Sequence, residues 1–87
     1  MKEWEYRTIR MDLETWEKMH EKHEDFVVTY ADGTRVEGIE ALLRLYLDEG
    51  EWELVSIVPT GFRRQQTYHR FDADTLMIIF RRQRLQP

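Results

Sequence analysis

From Leu42 to Pro59 the chain reads as one folding unit. Leu42, Leu43, Tyr46 and Leu47 recur at helical spacing with Ile39 one turn earlier, so the pattern predicts an amphipathic helix from about Ile39 to Glu49. Leu45 falls well off that apolar face, which leaves it exposed or against something else. Gly50 suits the left-handed residue that ends many helices. After Trp52, an extended chain puts Leu54, Ser56 and Val58 on one side and Val55 and Ile57 on the other, until Pro59-Thr60-Gly61 ends it. A strand apolar on both faces needs cover on both. That demand constrains everything else, because 87 residues leave little chain to meet it.

A chain of this length makes one domain, residues 1–87, and buries only roughly 60–65% of its unfolded surface. Small domains usually gain support from disulfides, a metal or oligomerisation. The absence of cysteine excludes disulfides and thiolate metal sites and suits a reducing compartment. Met1 to Arg7 carries charges where a signal peptide has an apolar run. The longest aliphatic or aromatic run, Leu76 to Phe80, is far short of the roughly 20 residues that span a bilayer. A soluble, cytoplasmic protein is expected.

Trp4 to Arg10 predicts a strand in which Trp4, Tyr6 and Thr8 alternate with charged residues. Ile9 and Met11 break the alternation, which predicts a bulge or an inward-turning end. Asp12 then suits a helix N-cap, and Leu13, Trp16, His20 and His23 form a stripe, predicting a helix from Leu13 to about His23. Phe26 to Tyr30 is a further strand and Ala31-Asp32-Gly33 a turn. Thr34 to Glu37 fits either a returning hairpin strand or a first helical turn with a capping box. The hairpin is preferred, since Gly38 inside a helix costs roughly 1 kcal/mol relative to alanine. Residues 60–75 suit a functional loop, a pair of hairpin arms or a partly disordered segment. Leu76 to Phe80 is the last strand, and 83–87 a frayed tail.

These residues resemble a family of short bacterial domains of unknown function. The resemblance lies in Trp4-Glu5-Tyr6, in Leu42 to Leu47, in Gly50-Glu51-Trp52-Glu53-Leu54-Val55 and in Phe80-Arg81-Arg82. Glu51 is inserted between the glycine and the tryptophan, and 12–37 is longer than that family's usual connection. The resemblance implies a β-α-β-β core and carries no established activity.

The expected fold is therefore α+β. It has a three-stranded sheet with the main helix on one face, plus an inserted helix and short hairpin within 12–37. The all-apolar last strand should lie between the other two and antiparallel to both. The second face then needs the Trp16 helix, the hairpin or another subunit. Leaving ~400 Å² of it in water forgoes on the order of 10 kcal/mol, so a homodimer through the open sheet face is expected.

Little catalytic chemistry is legible. Ser56 sits in an apolar strand with no glycine-flanked elbow, and no glycine-rich loop suits a phosphate. Asp72 and Asp74 read as a polar turn rather than paired acids. Glu17, His20 and His23, with Glu21 or His69 as extra ligands, are the one metal-like cluster, and a charged helix surface is the preferred reading of it. No metal, cofactor or catalytic residue is expected.

Charge is uneven: residues 1–61 hold 7 basic and 15 acidic side chains, and 62–87 hold 6 arginines against two aspartates. The expected function is a non-catalytic self-association or protein-interaction module. The alternative is an anion or nucleic-acid binder using segment 62–84. There Phe62, Tyr68 and Phe71 would stack on bases and Arg63, Arg64, Arg70, Arg81, Arg82 and Arg84 would meet phosphates, with His69 a further binding candidate. The acidity of the remaining chain disfavours a nucleic acid partner.

Overall fold

In a computed structural model, residues 3–64 and 71–84 are described. The elements are β1 (Glu3–Lys18), β2 (Glu21–Thr29), β3 (Arg35–Glu37), helix α1 (Ile39–Arg44) continued by a π-helical turn (Leu45–Glu49), β4 (Glu53–Arg64) and β5 (Phe71–Arg84). The strands form a single sheet in the order β3-β2-β1-β5-β4, and every neighbouring pair is antiparallel. The α+β expectation is thereby corrected to a β-rich fold with one short helix. The last strand does lie between the first strand and β4, antiparallel to both. Among the described residues, no helix is long and apolar enough to cross a membrane.

The correction comes from residues 13–23. Instead of a helix, β1 runs on to Lys18, turns through Met19 and His20 with φ of 54° and 64°, and returns as β2. The stripe read at helical spacing was thin, and cross-strand pairing satisfies the same side chains better. Trp16 lies opposite His23 and their rings stack at 5.8 Å. Glu17 faces Lys22 and Lys18 faces Glu21, so opposite charges meet across the ladder.

Nor is there a bulge where Ile9 breaks the alternation, because β1 keeps one register with β5 from Glu3 to Asp12. The change of phase is a change of which face is apolar. Even-numbered Trp4, Tyr6 and Thr8 point to one side, while Ile9 and Met11 point to the other and enter the core. There they meet Leu76, Ile78 and Phe80 of β5, with Leu42, Tyr46 and Trp52 from the helical connection above them. Tyr46 stacks on Phe80 at 4.4 Å and meets Trp52 edge-on at 6.2 Å. Leu45 is exposed, off the apolar stripe.

The helix starts after a real hairpin strand, as Gly38 takes φ 93° and donates its N–H to the Phe26 carbonyl at 2.7 Å. Its last turn widens: the Gly50 N–H reaches the Leu45 carbonyl and the Trp52 N–H the Tyr46 carbonyl. Gly50 is not the left-handed residue, having φ −96°; that conformation falls on Glu51 at φ 58°. Glycine is needed at 50 for space instead. A Cβ there would lie 2.7 Å from Trp52 Cδ1 and 3.1 Å from the Tyr46 carbonyl oxygen.

The expectation that β4 is covered on both sides also fails. It lies at the sheet edge, so Leu54 and Ile57 on the helix side, Val58 on the other, and Val55 at the register shift between Leu54 and Ser56 all remain exposed. Residues 60–64 and 71–75 pair as hairpin arms of β4 and β5. The β1–β2 hairpin likewise continues past the last β1–β5 pair, Asp12–Thr75, as a two-stranded arm. These extensions give a radius of gyration of 15.8 Å, against about 12 Å for a compact chain of this length.

Candidate functional site

Because the helix covers one face only, the opposite face of the sheet has no second layer among the described residues. Its two halves differ. Over β3, β2 and the far part of β1, charged side chains lie across the strands. Arg35 bonds Glu37 at 3.0 Å and Glu14 at 3.3 Å, and its guanidinium lies 5.4 Å from the Trp16 ring. The bridge to Glu14 must cross β2, and Val27 on that side is only 2% exposed. The Glu37 carboxylate, followed by Glu14, raises the Arg35 pKa further above its ordinary value.

Over β1, β5 and β4 such pairs are confined to the two ends of the face and leave its middle row without a charge. Three rows run across the strands here: Tyr6–Arg81–Glu53, Thr8–Ile79–Ser56 and Arg10–Met77–Val58. Tyr6 is 59% exposed, Val58 39%, and Trp4 at the lower border 40%. Val55, in the irregularity between Leu54 and Ser56, adds another exposed side chain on this edge. Ion pairs bound the patch: Arg81 to Glu53 at 3.1 Å below, and Arg10 to Asp12 at 3.1 Å above. Arg81 also sits 4.2 Å from the Trp4 ring, and its pKa is raised chiefly by the bond to Glu53. An apolar and aromatic centre with a charged rim is the anatomy of a protein interface.

The edge of β4 is a poorer docking element than its face. Pro59 has no N–H to offer an added strand, and the pairing of β4 with β5 shifts register near Val55 and Gly61. At the other edge, β3 is three residues long and carries Arg35 and Glu37.

The residues singled out from the sequence scatter. Phe62, Arg63 and Arg64 end β4, with Arg63 in register with Asp72 and Arg64 with Phe71. Tyr68, His69 and Arg70 lie outside the described residues. Arg82 is not with this group, because it lies opposite Glu5, nine residues along β5 from Ala73, the partner of Phe62, or roughly 30 Å. It is engaged there, 3.4 Å from Glu5 and 4.4 Å from the Trp52 ring, and Arg84 also reaches Glu5 at 3.9 Å. The arginine-rich segment therefore divides between two ends of the sheet.

Glu17, His20 and His23 lose the shared helix face that made them metal-like. Glu17 and His23 point to opposite faces of the hairpin, and His20 is in its turn. No three His, Asp or Glu side chains among the described residues are placed to hold a metal. Two open clefts of about 510 Å³ are present, and the second includes Glu17 and His23. One runs past Glu5, Glu51, Glu53, Arg82 and Arg84, and the other past Trp16, Lys22 and His23. Neither holds a buried polar group without a partner. Ser56 is partly buried in β4, and the Thr75 hydroxyl donates to Asp74 at 3.2 Å.

Sequence reasoning missed Met77 and Ile79 as surface residues, since the run Leu76 to Phe80 looks uniformly buried. The signal was the Trp4-Tyr6-Thr8 alternation, which marks the same face on the neighbouring strand. No protein-family model, curated protein or solved structure matches this chain.

Proposed function

We propose that this chain is a non-catalytic protein-interaction module, working in the cytoplasm, whose contact surface is the bare part of the sheet over β1, β5 and β4. The observation that carries this reading is the Tyr6–Ile79–Val58 patch, left without a second layer beside a half-face that is covered by charged side chains. A second layer of helix or sheet normally protects such a face, because exposed apolar area is worth roughly 25 cal/mol per Å² when buried.

The test is retention. Wild-type chain and a Tyr6→Lys/Val58→Lys variant of unchanged circular dichroism serve as baits in an extract of the native cell. Proteins bound by the wild type, copies of this chain included, should fall at least about tenfold with the variant, since two lysines must lose their water to enter an interface. Equal binding by both baits refutes the reading. The anion-binding alternative gains no support from Arg81, Arg82 and Arg84, each of which already faces a carboxylate.

A further inference from the structure

We propose that the partner on this face is a second copy of the same chain, packed sheet to sheet about a two-fold axis that runs across the strands at Thr8–Ile79. The proposal rests on the interaction reading above and adds the identity and orientation of the occupant.

Area is the first argument. The chain exposes 7018 Å², whereas a folded monomer of 10.7 kDa is expected to expose about 5,500 Å². The excess is on the order of 1,500 Å², and one partner in a standard interface contributes about 800 Å². That excess, which the extended two-stranded arms share, is larger than one partner's contribution to a standard interface.

The charge pattern is the second argument, and it also fixes the orientation. The Thr8–Ile79–Ser56 row has no charge and lies midway between the Arg10 row and the Tyr6–Arg81 row. A copy turned end for end about an axis through this row sets Arg10 against the partner copy's tyrosine ring. It also lays the Arg81 stem on the partner copy's methionine at 77. Each cation then meets an aromatic or apolar surface while keeping its own carboxylate, Asp12 or Glu53. An axis parallel to the strands would instead stack Arg81 on itself, and like charges facing across an interface are strongly disfavoured. The blocked edge of β4 leaves face packing as the route to association.

The chain has no cysteine, so Thr8→Cys supplies a single thiol on the proposed axis. Packed sheets lie about 10 Å apart, too far for a disulfide, so a short bis-maleimide is the linker. Each thiol adds across one maleimide double bond, with no leaving group. The expected result is a mass of two chains by light scattering at about 100 µM, well above the dissociation constants typical of standard interfaces. Rapid covalent dimer formation by Thr8→Cys should accompany it, at least about tenfold faster than by Ala31→Cys in the exposed β2–β3 turn. A monomeric mass at that concentration overturns the second copy. If retention in the extract still depends on Tyr6 and Val58, the interaction reading itself survives. Equal cross-linking of both cysteine variants, or a dimer that persists in Tyr6→Lys/Val58→Lys, overturns the proposed face.

Discussion

The two faces of β5 differ sharply, although they belong to the same fourteen residues. Leu76, Ile78 and Phe80 point to the helix and are buried, the last two completely. Met77 and Ile79 point the other way and are only partly buried, beside the far more exposed Tyr6 and Val58. The strand is equally apolar on both sides, so composition does not decide which side becomes core. The single connection between β3 and β4 does, because it crosses one face and carries Leu42, Tyr46 and Trp52 with it. A five-stranded sheet with one short helix is an unfinished sandwich.

Substitutions on the two faces should therefore behave as if in different proteins. Phe80→Ala removes the ring under Tyr46 and should cost about 3–5 kcal/mol in urea unfolding, enough to leave a domain this small largely unfolded. Gly50→Ala pushes Trp52 off its seat on the covered face and should cost about 2 kcal/mol by the same measurement. Glu51→Gly should stabilise by about 1 kcal/mol, since it relieves a left-handed residue without touching the core. Tyr6→Ala, on the open face, should change the unfolding free energy by no more than about 0.5 kcal/mol under dilute conditions where the chain is monomeric. A large loss from Tyr6→Ala there would mean that the open face is already structural in a single copy, and the comparison would break.

A pH titration sharpens the same contrast. The Tyr30 and Tyr46 hydroxyls lie 2.9 Å apart on the covered side. Burial, and then the bond to Tyr46, push the Tyr30 pKa well above its ordinary value. Below about pH 10 the phenol is neutral in both folded and unfolded chains, and stability is undiminished. Above that pH the unfolded chain sheds a proton that the folded chain retains, so stability falls as pH rises. Urea midpoints at increasing alkaline pH should show this decline, and Tyr30→Phe should make it shallower.

The sequence made some of this architecture legible and concealed the rest for identifiable reasons. The helix over 39–49, the hairpin before Gly38 and the central place of the last strand all follow from local pattern. Residues 13–23 do not. Leu13, Trp16, His20 and His23 sit at helical spacing, yet only long-range pairing reveals that Trp16 and His23 face each other across a turn. Gly50 was correctly prominent for the wrong reason, because ring packing and backbone conformation leave the same mark on a sequence. The open face was half legible. Trp4, Tyr6 and Thr8 announce it on β1, but its continuation on β5 depends on register, which no single strand encodes.

The central place of β5 also bears on how the protein comes into being. Of all the strands it is synthesised last, yet it is the one that joins β1 to β4. Until it emerges, a growing chain can assemble β1, β2 and β3 as a meander of near neighbours, while the apolar side of β1 and the whole of β4 wait without a partner. Closure then requires contacts between residues as far apart as Glu3 and Arg84, the kind of distant pairing that slows folding. The interval between translation of β4 and arrival of β5 is when a nascent chain is most open to capture by chaperones or by other unfinished copies.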